Sequence, residues 1–339
     1  MCTLPLVVCA LALVVPPPQD QIETDRLMGF IRDLPTRRAP LGGEEHREGL
    51  RATEQLLTDR LAALGFEPTR HAFQWSLPRS APKEGQPVPD AESMTWHNIL
   101  IDLPGTDLKD EVLLVGAHFD AAPKAPGADD NGTGTSALLE LARVLKDQPR
   151  RRTIRLVFFN LEETGLIGST KYVAGLPKDG PQKIVGMISL EMLGYFSDEP
   201  DSQKSPIPKV EGVWEPPTVG DSIAVVGIAR DRPFSQKLIG EMGKAEPKLK
   251  ITVVDFLPIP VPDMMRSDHR PFVMAGLPAV MITDTANFRN PHYHQPTDTI
   301  DTLDPVRFTY VVKAVAGAVH ALANAEPWMP AAPPKPASP

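Results

Sequence analysis

Apolar residues along the chain fall into runs of two periods. From about Gln21 to Phe66 the spacing is helical, and the stretch from Glu48 to Leu64 puts Leu50, Leu57, Leu61 and Leu64 on one face. That segment closes on LAALGFEP, where Gly65 is a stop signal. Short β-type runs follow: the residues around Ala72 to Trp75, then WHNILIDLPG, then EVLLVGAHFD. The last is almost continuously apolar, as a strand covered on both faces must be. GTSALLELARVLKD returns to helical spacing through Leu138, Leu141, Val144 and Leu145. Beyond it the strand-like runs RTIRLVFFN, KIVGMISLEMLGY, DSIAVVGIA and LPAVMITDT alternate with the helix-like GSTKYVAGL, FSQKLIGEMGKA and the closing PVRFTYVVKAVAGAVHALANA. Alternation after Val112 predicts an α/β fold, a mostly parallel sheet flanked by helices.

In such sheets ligands bind beyond the carboxyl ends of the strands. The residues that follow the apolar runs are His118 and Asp120, Glu162 and Glu163, and Glu191, all of metal-ligand or acid/base type. Two Pro- and charge-rich stretches, 76–93 and 197–221, read as solvated surface loops or as a lid or wall of a substrate cleft. The tail, residues 327–339, is low in complexity and is expected to be disordered or polyproline-like.

Composition narrows the function classes. The 339 residues carry a net charge of −8, which argues against nucleic acid as a partner. Both cysteines, Cys2 and Cys9, lie in an apolar N-terminal segment, 1–20, that resembles a signal peptide without a basic start. Its removal would leave no thiol for a disulfide or a cysteine-ligated metal, and would place the mature chain outside the cell or in the envelope. No other stretch is read as long and apolar enough to span a bilayer. Nothing in the sequence fixes an oligomeric state.

The string GAHFDAAPKAPGADDNGTG carries the first chemistry. His118 and Asp120 are two apart at a strand end and share a face. His118 offers one ring nitrogen to a metal, and Asp120 is placed to accept the other ring N–H and fix the tautomer. Asp130 lies in a Gly-rich turn that opens a helix, where a carboxylate can bridge two cations. Gly132 and Gly134 let the backbone pass close to it. Asp129 and Asp130 also suit the simpler reading of helix capping. In FFNLEETGLIGS, one of two adjacent glutamates can ligate a metal while its neighbour reaches an attacking water. Glu191 in ISLEMLGY ends an apolar strand, where either a cation or a basic side chain must compensate it. In NPHYHQPTDT, His294 is the best remaining imidazole and Tyr293 a hydrogen-bond donor for a developing oxyanion, with His292 the lesser candidate. Asp268 and His269 read equally as a helix start or as site residues. His46, His71, His97 and His320 have no partner motif.

His118, Asp130, Glu163, Glu191 and His294 together supply two imidazoles and three carboxylates with no thiolate. Two Zn2+ ions sharing one carboxylate would be satisfied by that set, and Mn2+ or Co2+ would accept it too.

From roughly Asp25 to Ala325, and through every motif above in order, the chain resembles metallopeptidase family 28, the zinc aminopeptidases related to glutamate carboxypeptidase and glutaminyl cyclase. The resemblance implies a single zinc peptidase domain over 21–326, a three-layer αβα sandwich of zinc-dependent exopeptidase type around a central mixed sheet. It assigns metal binding to His118, Asp130, Glu163, Glu191 and His294. It makes Glu162 the general base, Asp120 the partner of His118 and Tyr293 the oxyanion donor. Peptides with a free N-terminus would be the substrates. Glu191 departs from the pattern, since well-known members have aspartate there. Glutaminyl cyclase, a carboxypeptidase and an inactive receptor-like domain are the rival readings. Phe256, Leu257, Met264, Met265 and Phe288 either line an apolar pocket or pack the core.

Overall fold

The computed structural model describes residues 15–77, 93–177, 180–259 and 261–328. The apolar N-terminal segment up to residue 14, most of the 76–93 loop and the Pro-rich tail from residue 329 lie outside the described residues.

Helix α1 is Thr24–Asp33 and α2 is Glu44–Ala63. The helical run expected over Gln21–Phe66 is therefore broken. Pro35 disfavours a helical residue before it, and Pro40, Gly42 and Gly43 follow, with φ of 99° and 103° at the two glycines. Strands β1 (Thr69–Ser76), β2 (Ser93–Leu103) and β3 (Leu108–His118) come next. After them run α3 (Gly134–Leu145), β4 (Arg152–Phe159), α4 (Ile167–Ala174), β5 (Lys183–Glu191) and β6 (Ile223–Val226). The chain continues through α5 (Arg232–Ala245), β7 (Ile251–Val254), α6 (His269–Met274), β8 (Ala279–Thr283) and α7 (Pro305–Asn324). The four-residue β7 is too short to register as a periodic run and has no counterpart in the sequence reading.

All eight strands form one mixed sheet in the order β1-β2-β4-β3-β5-β8-β6-β7. Its centre, β4-β3-β5-β8, is parallel, so four strands end on the same edge. The flanks are antiparallel: β1 with β2, β2 with β4, and β6 with β8. Periodicity does not encode strand direction, so the reversal of β6 was not legible in the alternation.

Alternate residues of each strand feed two apolar layers. Leu113, Val115 and Ala117 of β3 pack with Leu138 and Leu141 of α3 and Phe308 and Val312 of α7. Leu114, one residue out of phase, packs on the opposite face with Tyr172 of α4 and Phe272 of α6. The result is a three-layer αβα architecture. Helix α7 has the length and apolarity of a membrane span, contrary to the sequence expectation. Here it is a core helix, with Phe308, Val311, Val315, Val319 and Leu322 fully buried. A further apolar cluster at the β6–β8 end of that second face joins Ile207, Ala224, Val226, Val254, Met264 and Met281.

Candidate metal centre

The parallel strands deliver the candidate residues to one edge. His118 is the last residue of β3 and Glu191 the last of β5. Glu162 and Glu163 lie in the turn after β4, and His294 in the loop after β8, with φ of 58°.

Asp130 sits between two groups of donors. Its Oδ1 is 3.4 Å from His118 Nε2, and its Oδ2 is 3.1 Å from His294 Nε2. His118 Nε2 is also 3.4 Å from Glu191, and His294 Nε2 is 3.0 Å from Glu163 Oε2. In one group, donor atoms of His118, Glu162 and Glu191 lie within 4.8 Å of one another. In the other, so do those of Asp130, Glu163 and His294. Asp130 Oδ2 and Glu163 Oε1 are buried without a hydrogen bond. Buried carboxylate oxygens with no hydrogen bond among the described residues, set among imidazole nitrogens, fit cations. The all-nitrogen and oxygen donor set fits zinc and its neighbours.

The turn carrying Asp130 is held from several directions. The carboxylate of Asp298 accepts the backbone N–H groups of Asp129 (2.9 Å) and Asp130 (3.2 Å). Asn131 donates to the Leu190 carbonyl and accepts from Gly134 and Met192, which locks the turn to the end of β5. A Cβ on Gly134 would come within 2.6 Å of the Leu190 carbonyl, so only glycine permits this approach. Arg38, wholly buried in the loop between α1 and α2, donates to the carbonyls of Pro35, Phe119, Pro126 and Gly127. It clamps both arms of the loop between His118 and Asp130, and it is a cation beside a strongly acidic centre. Asn131, Asp298 and Arg38 all escaped the sequence reading. Their partners lie far away in sequence, and the only signal was their place beside Gly and Pro turns.

Three expectations change in detail. The His118 ring meets the carbonyl of Asp120 at 3.2 Å, and the Asp120 carboxylate only at 3.5 Å. That carboxylate instead accepts the backbone N–H groups of Glu162 (3.0 Å) and Glu163 (3.2 Å) and so shapes their turn. Asp129 caps no helix with its side chain: its carboxylate accepts from Gly194 and Asn290. Glu191 is paired with no Arg or Lys among the described residues; the His118 ring lies 3.4 Å away. Ser267 donates to its Oε2 at 2.7 Å, and the Ser189 hydroxyl lies 3.0 Å behind Ser267.

Other histidines find separate duties. His269 is buried against the Met264 carbonyl, and His292 pairs with Thr297. His46, His71, His97 and His320 contact Pro123, Asn98, Glu54 and Pro149. Asp268, fully buried with neither oxygen hydrogen-bonded, lies beside the site at the start of α6.

Crowded acidic and imidazole groups shift one another's titration at the centre. Burial above all, with Glu191, Glu163 and Asp268 adding repulsion against the pull of His118, raises Glu162 well above the carboxylate range. Burial and the Asp130 charge push Glu163 up to about 7. Burial does the same to Asp268, at about 7, and Asp298, at about 8. On His294 burial opposes charge, but Asp130 and Glu163 outweigh it and lift the imidazole to about 10. Each of these groups binds protons in the folded chain that the unfolded chain has released. Stability of the ion-free protein must therefore fall as pH rises through this window. Thermal midpoints measured between about pH 5 and about pH 8 are expected to drop by several degrees, and added zinc, which replaces the protons, removes the drop. A midpoint that rises with pH in chelator would contradict this arrangement.

Beside Glu191 and Tyr293 opens a cleft. Its floor is the sheet face at Ala224, Val226, Val254 and Met281, and its walls include Ile207, Trp214, Met264 and Phe288. The 197–221 loop thus supplies a wall. Of the pocket candidates, Met264 and Phe288 line the cleft. Phe256 and Leu257 pack behind it, and Met265 belongs to the α4–α6 layer.

Comparison with known proteins places the chain in a family. The model of peptidase family M28 matches residues 98–319. YfbL of Escherichia coli strain K12 is 35% identical over 65% of this chain and 69% of its own length. Aminopeptidase YwaD of Bacillus subtilis is 29% identical over 67% of this chain, which spans only 45% of YwaD. The solved structure of BSAP, a zinc aminopeptidase from Bacillus subtilis, superposes with a TM-score of 0.69 at 19% identity, covering 90% of this chain and 96% of that one. The chain belongs to peptidase family M28, and it is a hydrolase by class.

Proposed function

We propose that the protein is a metalloaminopeptidase that removes N-terminal residues from peptides with two zinc ions. The observation that carries this reading is Asp130, whose two oxygens face the two imidazoles of separate donor groups. His118, Asp130 and Glu191 would hold one ion, and Asp130, Glu163 and His294 the other. When bound, the ions supply Lewis acidity for the scissile carbonyl and a water of lowered pKa.

The chain's own groups do the rest. Glu162, the one member of its donor group outside that ligand set, accepts a proton from the attacking water at its carboxylate and returns it to the leaving amine. Tyr293 donates its phenolic proton as a hydrogen bond to the developing oxyanion. Asp120 holds Glu162 and Glu163 in register through their backbone N–H groups. The acidic surroundings favour a cationic α-amino group. The apolar cleft beside Glu191 suits a large apolar N-terminal side chain.

A panel of aminoacyl arylamides tests this directly. Zinc-dependent release is expected from leucyl, methionyl and phenylalanyl substrates, roughly 10-fold or more above glycyl and glutamyl ones, and none from their N-acetyl forms. Equal turnover of blocked and free substrates would sink the aminopeptidase reading. Cyclisation of N-terminal glutamine in place of hydrolysis would replace it with a glutaminyl cyclase.

A further inference from the structure

Arg266 stands at the mouth of the cleft, one residue before the serine that holds Glu191. Its Nη2 donates to the Tyr293 hydroxyl oxygen at 2.9 Å. Its Nη1 donates to Asn287 Oδ1 at 2.8 Å and Asp263 Oδ1 at 3.2 Å. The guanidinium carbon lies 5.4 Å from the Tyr293 ring centroid. The Tyr293 ring also stacks on His294, with centroids 3.8 Å apart at 21°. The ring is thus held by an arginine that is itself tied at two points and by an imidazole of the candidate metal centre.

A phenol oxygen has one proton and two acceptor sites, whereas a guanidinium has donors only. Arg266 can therefore occupy only an acceptor site on Tyr293. The phenolic proton must point away from Arg266, which leaves it for a ligand in the cleft that Tyr293 and Glu191 line. A cation on the acceptor side also polarises the O–H bond and makes it a stronger donor.

We propose that Arg266 is a positioning residue that aims the Tyr293 hydroxyl at the carbonyl oxygen of a bound peptide. The inference rests on the proposed oxyanion role of Tyr293. Lysine at this position keeps the charge but not the fork that spans Tyr293, Asn287 and Asp263, so it restores function only in part.

The test uses the zinc-loaded full chain as wild type, Arg266→Ala, Arg266→Lys, Tyr293→Phe and the Arg266→Ala/Tyr293→Phe double variant. Each is measured for leucyl arylamide kinetics, affinity for an aminoalkylphosphonate mimic of the tetrahedral intermediate, zinc content and thermal midpoint. Tyr293→Phe is expected to lower kcat by about 10²-fold. Arg266→Ala is expected to lower it by about 10-fold or more, with KM and zinc content unchanged and phosphonate affinity falling in parallel. Added to Tyr293→Phe, Arg266→Ala should cost nothing further, and Arg266→Lys should recover part of the loss. A full additional loss in the double variant, or a raised KM at unchanged kcat, would overturn the inference. So would a large loss on Tyr293→Phe with none on Arg266→Ala, which leaves the role of Tyr293 standing. Wild-type kcat in Tyr293→Phe would instead remove that role, and the inference with it.

Discussion

Glu162→Gln is expected to lower kcat by roughly 10²- to 10⁴-fold, the range of a general base, while fold and zinc content stay as in the wild type. The substitution keeps side-chain shape and removes only the ability to take a proton. The local turn should survive, because Asp120 holds the backbone N–H groups of Glu162 and Glu163 and not the Glu162 side chain. Glu162 also repels Glu191, Glu163 and Asp268. Burial and that repulsion keep the carboxyl protonated in the folded ion-free chain, whereas glutamine is neutral without taking up a proton, so the substitution should raise, not lower, the thermal midpoint at neutral pH. Steady-state kinetics and elemental analysis of the same preparation check both parts. A variant with near wild-type kcat would exclude Glu162 as the base. A variant that loses zinc would move Glu162 into the ligand set, which its proximity to His118 and Glu191 makes geometrically feasible.

Asp130→Asn carries the other large effect. Asparagine retains one acceptor oxygen, so it can serve one of the two donor groups but not both. Activity is expected to fall by at least about 10²-fold, since even outer-sphere changes at metal sites cost 10- to 100-fold. The scaffold should persist, because Asp298 holds the turn through the backbone N–H groups of residues 129 and 130. Zinc content below that of the wild type, with a cooperative thermal transition, is the expected signature. Unchanged zinc content together with unchanged activity would mean that Asp130 joins nothing.

The sequence made the strand ends and the donor types legible for one physical reason. Buried parallel strands are continuous apolar runs, so a polar residue that closes such a run stands out. His118, the Glu162–Glu163 pair and Glu191 were visible in that way. Direction, pairing and support were not. The antiparallel β6 looks the same in sequence as a parallel strand would, and the pocket wall at Ile207 and Trp214 comes from a loop with no periodicity. Ser267, which answers the question of what compensates the longer Glu191 side chain, is 76 residues away from it. Arg38 lies in a proline-rich turn that composition alone labels as a linker, yet its four carbonyl contacts make it part of the centre's frame. Asp120 was seen but assigned too narrowly. Its backbone contacts to the glutamate turn are shorter than its carboxylate contact with His118.

If Asp130 joins two ion sites, turnover depends on filling both. A calorimetric titration of the ion-free chain with zinc, with leucyl arylamide hydrolysis followed on the same samples, measures this. Two zinc ions bound per chain, proton release on binding, and activity that tracks occupancy are expected. Saturation at a single ion with full activity, or hydrolysis that persists when no ion is bound, would contradict it.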